Sequence, residues 1–163
     1  SNDADFTLSN TLLTRSTGGK FTLASIERAQ LAGGASNNTF TVTNWTGSGS
    51  IAGQGGNDTV KVTKNVNYTA TENSIKSSDG MNMAILAISS ISLTGGSGVN
   101  VFNVTPGVNA TFDVAGGSGF DTLIVTKSGA TNTDLTSSGG NGYFSFTNRK
   151  RINFTSIDDS KVV

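Results

Sequence analysis

An aliphatic residue stands ahead of each of a series of polar stretches rich in glycine and serine. The set is Leu13, Leu31, Ile51, Ile75, Leu93, Val114 and Leu135, at gaps of 18 to 24 residues. Eight or nine residues after each comes a second apolar set: Phe21, Phe40, Val60, Met83, Phe102, Leu123 and Phe144. Two residues further lies a third: Leu23, Val42, Val62, Ile85, Val104, Val125 and Phe146. The two-residue spacing of the last two sets places both side chains on one face of a strand. The recurrence near 20 residues predicts strands that repeat coil upon coil, each set forming an internal ladder.

A longer repeat contains the shorter one. Residues 5–42 align with 67–104 at an offset of 62, and GQGGNDTVKVTK (53–64) aligns with GGSGFDTLIVTK (116–127) at an offset of 63. The boundaries are approximately 5–66 and 67–129, with a partial third copy over 130–163. These patterns predict an all-β chain over 1–163: a right-handed parallel β-helix, or β-solenoid, of about seven coils. A β-sandwich is the alternative, but it gives no reason for a 62-residue repeat. The initial Ser1-Asn2 reads as an addition to the natural chain.

Composition agrees with many short strands. Gly is 21 of 163 residues, there is one Pro, and charged residues are 13%, about half the usual share. Net charge is zero, which gives no support for a nucleic-acid partner. The run Arg149-Lys150-Arg151 is too short to change that and reads as a solvated turn. Asp158-Asp159-Ser160-Lys161 reads as a partial end cap. No apolar run is long enough to span a membrane. Cys and His are both absent, which removes disulfides, thiolate sites and the commonest acid–base group.

The glycine turns resemble the repeats of very large secreted or surface proteins of bacteria, of haemolysin-type calcium-binding or adhesin-like kind. The residues that carry the likeness are LTGGSGVNVFNVTPGVNATFDVAGGSGFDTLIV (93–125) and their looser counterpart at 31–62. The toxin-type pattern recurs every nine residues, whereas here it recurs about every 20, so the kinship is in turn chemistry rather than spacing. The resemblance implies an extracellular or cell-surface setting, neighbouring repeats in a longer chain as partners, and contact with a glycan or host surface.

In such turns, Asp carboxylates from stacked coils surround calcium. Here the corresponding column reads Lys20, Asn38, Asp58, Asn82, Asn100 and Asp121. Only Asp58 and Asp121 are carboxylates, so a weak calcium site at either is the lesser expectation. The greater is a structural turn, because Asn and Asp bond nearby backbone amides. No other cofactor is implied.

Three further groups bear on function. Outward positions before the turns read Leu12, Gln30, Ser50, Ser74, Ser92, Asp113 and Asp134. Adjacent coils would bring Asp113 and Asp134 within carboxylate-pair range, as a polysaccharide-cleaving β-helix requires. Trp45 and Tyr68 are candidates for stacking on sugar rings, or for filling a buried corner. Thr39, Thr41, Thr43, Thr59 and Thr63 invite an ice-binding reading. The next coil in the repeat supplies Val101, Asn103 and Thr105, so the threonine array is expected to stop after two coils. The favoured expectation is a non-enzymatic structural or adhesive spacer, with a carbohydrate-binding or carbohydrate-cleaving β-helix as the competing class.

Overall fold

The computed structural model describes residues 3–163, and the expectation for Ser1-Asn2 lies outside them. The chain is all-β, with 18 strands in two mixed sheets and no helix among the described residues. Among the described residues no helix is long and apolar enough to cross a membrane.

The chain opens with an antiparallel triplet, β1 (Phe6–Leu8), β2 (Leu12–Arg15) and β3 (Lys20–Thr22). Four single strands follow: β4 (Arg28–Ala32), β5 (Thr39–Thr43), β6 (Ser48–Ala52) and β7 (Thr59–Thr63). A second triplet is β8 (Tyr68–Thr71), β9 (Ser74–Ser77) and β10 (Asn82–Leu86). Four more singles are β11 (Ser90–Thr94), β12 (Val101–Val104), β13 (Thr111–Ala115) and β14 (Thr122–Val125). A third triplet, β15 (Asp134–Ser138), β16 (Asn141–Ser145) and β17 (Ile152–Thr155), leads into β18 (Asp159–Val162).

Single strands alternate between the sheets and pair in parallel with the strand one winding away. The longer sheet runs β15-β16-β17-β13-β11-β7-β5-β1-β2-β3, and the shorter runs β18-β14-β12-β8-β9-β10-β6-β4. At each triplet the chain jumps two strands ahead, doubles back, and resumes the winding. Phe40, Val60, Leu93 and Val114 of the longer sheet share one buried core with Ile51, Met83, Phe102 and Leu123 of the shorter. A sandwich would also have two sheets around one core, but here the parallel partners lie one winding apart.

The purely parallel expectation is corrected by the triplets. Side chains alternate with the same period in parallel and antiparallel strands, so the apolar sets carry no sign of the reversal. A second correction concerns the ends of the sets, where Leu135 is exposed and Leu13, Leu23 and Phe146 are only partly buried. In the third triplet the place of Ile75, opposite Met83, is taken by Phe144, opposite Ile152. A tight Gly139-Gly140 turn closes β15 on β16, and the extra residues fall in the longer link to β17. Residues 159–162 form β18, the edge strand of the shorter sheet, paired with β14.

Successive repeats exchange sheets. β4 and β6 lie in the shorter sheet, while their counterparts β11 and β13 lie in the longer; β5 and β7 exchange with β12 and β14 in the opposite sense. Counting a triplet as one crossing, each repeat makes an odd number of crossings. Neighbouring repeats are therefore related by a half-turn about the winding axis. Three matching corners, at Ser25, Ala87 and Ser156, share a left-handed backbone conformation with φ of 54°, 50° and 51°. Each leads from the end of a triplet into β4, β11 or β18, so the local geometry repeats three times.

Candidate functional site

The glycine turns are held by side-chain columns inside the corners. Asn38 Oδ1 accepts from Gly34 N at 2.7 Å, and Asn100 Oδ1 accepts from Gly96 N at 2.9 Å. One winding on, Asp58 Oδ1 accepts from Asn38 N at 2.7 Å, and Asp121 Oδ1 accepts from Asn100 N at 2.8 Å. The columns begin at equivalent residues, with Asn38 Nδ2 donating to Asp3 at 3.2 Å and Asn100 Nδ2 to Asn65 at 3.1 Å. Hydrogen bonds from the Ser36 side chain and backbone, then from Asn38, hold the Asp3 carboxyl below its usual range.

Asp58 and Asp121 are buried, and the Oδ2 of each has no hydrogen-bond donor. Each Oδ2 instead lies against the first glycine of its turn, in the space a Cβ on Gly53 or Gly116 would need. Asn38 and Asn100 sit in the same way against Gly33 and Gly95. In the two Asn turns the residue four positions earlier donates its amide to the side chain. In the two Asp turns that residue, Gln54 or Gly117, has φ of 74° or 101°, and its amide makes no such bond. The two carboxylates lie in corners leading to different sheets, and no group of three or more acidic side chains comes together among the described residues. Within each corner the carboxylate is one oxygen donor, where calcium takes six to eight.

Asp113 and Asp134 are not neighbours. They lie in β13 and β15, with β17 and β16 between them, so at least roughly 14 Å of sheet separates their strands. The triplet inserts the two intervening strands. Asp113 instead accepts from Asn153 Nδ2 at 2.8 Å.

Trp45 and Tyr68 are both buried, so neither offers a ring face to a sugar. Tyr68 stacks on Phe102 at 5.3 Å, and its hydroxyl reaches the carbonyls of Lys64 and Thr94, each at 3.0 Å. Burial pushes the Tyr68 hydroxyl well above its ordinary value, and the Asp79 charge adds to the rise. Trp45 occupies the corner between β5 and β6.

Beside Trp45 lies a polar cluster that the sequence pattern did not single out. Lys64 is buried; its Nζ donates to the Trp45 carbonyl at 2.6 Å and to Asp79 Oδ1 at 2.7 Å. It also reaches Ser77 Oγ at 3.3 Å. Burial raises the Asp79 carboxyl, but bonds from Lys64 and Ser77 and the Lys64 charge outweigh it and hold the group below its ordinary value. The pair ties the end of β7 to the β9–β10 hairpin and to the β5–β6 corner. Lys127 occupies the matching position in the next repeat and is exposed, so sequence position alone does not distinguish the two lysines.

No family model, curated protein or solved structure matches the chain.

Proposed function

We propose that the chain is a non-enzymatic structural segment of a repeat array, serving as a spacer or display surface, and that it winds as a right-handed β-solenoid. The hand follows the general preference of parallel crossovers. Counting each triplet as one crossing gives about six windings, against the seven expected from the apolar sets. An extracellular, bacterial setting rests on the resemblance of the glycine turns alone.

One observation carries this reading: apolar residues at the two ends are uncovered where their internal equivalents are covered. Phe21 of β3 is 48% exposed, while Met83 at the same place in β10 is 1% exposed. Ile26 is 46% exposed and Ile88 5%. At the other end Leu135 of β15 is 46% exposed, while Leu8 at the equivalent place in β1 is fully buried. The internal pairings support this reading. β10 pairs with β6 and β8 pairs with β12, so β3 lacks a β6-type strand and β15 lacks a β12-type strand. Open edges of this kind are templates for further strands, and repeat stacking covers them without a new fold.

The test is a chain lengthened by its own repeat. By strand register Val163 stands where Thr94 stands, so a second copy of residues 95–163 is joined after Val163. Amides of residues 134–138 are expected to gain hydrogen-exchange protection, and the melting temperature to rise. Unchanged exchange at 134–138, with the added segment cleaved readily by protease, would overturn the proposal.

A further inference from the structure

The exchange of sheets gives the longer sheet an outer face that neither repeat contains by itself. β5 and β7 of the first repeat are continued by β11 and β13 of the second, not by β12. The threonine array thins to one residue in each of the next two strands, but serines and threonines together carry hydroxyls across all four. Registers across the four strands are unstaggered. Thr39, Thr59, Ser90 and Thr111 form one row. Thr43, Thr63 and Thr94 form another, closed by Ala115. Between them run Thr41, Lys61, Ser92 and Asp113. The intervening residues of each strand are buried, so these twelve face outward.

Nine of the twelve carry a hydroxyl. Rows repeat about every 4.8 Å across the strands, and positions repeat about every 6.6 Å along them, which makes a mesh periodic in two directions. Only two of the hydroxyls have a partner among the described residues, and both contacts are long. Ser90 Oγ lies 3.5 Å from Asp113, and Thr111 Oγ1 lies 3.4 Å from the Ser89 carbonyl. The mesh has no aromatic ring for stacking and one charge of each sign.

A single polysaccharide strand is periodic in one direction only. A mesh ordered in two suits a ligand that is itself ordered in two, the face of a crystal. The hydroxyls of the face, and the methyls that its seven threonines also carry, offer both hydrogen bonding and apolar contact to ordered water. We infer that this face of the longer sheet binds ice. Lys61 and Asp113 project from the middle row and limit the fit.

Ice-affinity partitioning and recrystallisation inhibition test this directly on the purified chain, with melting temperatures as the check on folding. The chain is expected to enter the ice fraction and to slow recrystallisation. Thr59→Lys with Thr63→Lys should abolish both effects while the melting temperature holds. Lys61→Thr with Asp113→Thr completes the mesh and should strengthen both, a gain no purely structural role predicts. Thr122→Lys, on the outer face of the other sheet, should change neither. Exclusion from ice by both the natural chain and the Lys61→Thr/Asp113→Thr variant would overturn the inference. So would equal loss in Thr122→Lys, or retention on crystalline cellulose or chitin in place of ice.

Discussion

Asp58 Oδ2, together with the Ala87 carbonyl, fills the space in which a side chain at position 53 would begin. The φ of Gly53 is not left-handed, so this glycine is needed for room and not for backbone freedom. Gly116 and Asp121 repeat the relationship. Gly53→Ala and Gly116→Ala are each expected to destabilise by about 1–3 kcal/mol, as overpacking does. Gly55→Ala, where φ is not left-handed and the nearest atoms to an added Cβ lie at 3.3 Å, should cost less. Urea melts of the three variants check the order.

The same contact bears on calcium. Asp58 Oδ1 is committed to the Asn38 amide and Oδ2 to the glycine, so a calcium ion would have to displace the packing it needs. Neither chelator nor millimolar calcium should shift the melting temperature. A ligand at 100 times its Kd would add about 2.7 kcal/mol. A calcium-dependent rise that disappears in Asp121→Asn would reinstate the metal site.

Removing Asp79 leaves the buried Lys64 ammonium without its charged partner. Loss of a buried partner costs about 3–5 kcal/mol. Asp79 is itself partly exposed, so solvent screening reduces this to about 1–3 kcal/mol for Asp79→Ala. Because the folded-state carboxyl is held below 3.8, its contribution is complete above that value. It is lost as pH falls through the depressed folded value. Stability curves of the natural chain and Asp79→Asn should separate near neutrality and converge in strong acid. Curves that stay parallel down to pH 2 would count against the pair.

Equivalent positions should respond unequally if the ends are open. Met83→Ala is expected to cost about 2–5 kcal/mol, as for a buried side chain in a closed core. Phe21→Ala, at the corresponding place on the uncovered edge, should cost under about 1 kcal/mol, since half of its surface is already in water. In the chain lengthened at its C-terminal end the same contrast should hold at Phe21, while Leu135→Ala becomes costly.

Much of the core was readable because burial leaves a period in the sequence. Leu31, Ile51, Leu93 and Val114 are all buried, as are Phe40, Val60, Phe102 and Leu123, because two-residue alternation and the 62-residue offset both mark them. Partner choice was not readable. Val60 fits a strand equally well whether Phe40 or Ile91 lies beside it, and it has both. The neighbours of the threonine face are hidden for the same reason: sequence order points to Val101, Asn103 and Thr105, whereas Ser90, Ser92 and Thr94 lie beside β7. Asp113 and Asp134 were misplaced by the two strands of the third triplet. The Lys64–Asp79 pair carries no local signal, because its geometry depends on a hairpin folding back over the end of β7.

The half-turn between repeats has a mechanical result. Any curvature that one repeat imparts to the axis is imparted in the opposite direction by the next, because what faced one way now faces the other. Bends cancel in pairs. A filament built from this unit would run straight however uneven its individual repeats, and a feature encoded once per repeat would emerge on alternate flanks along its length.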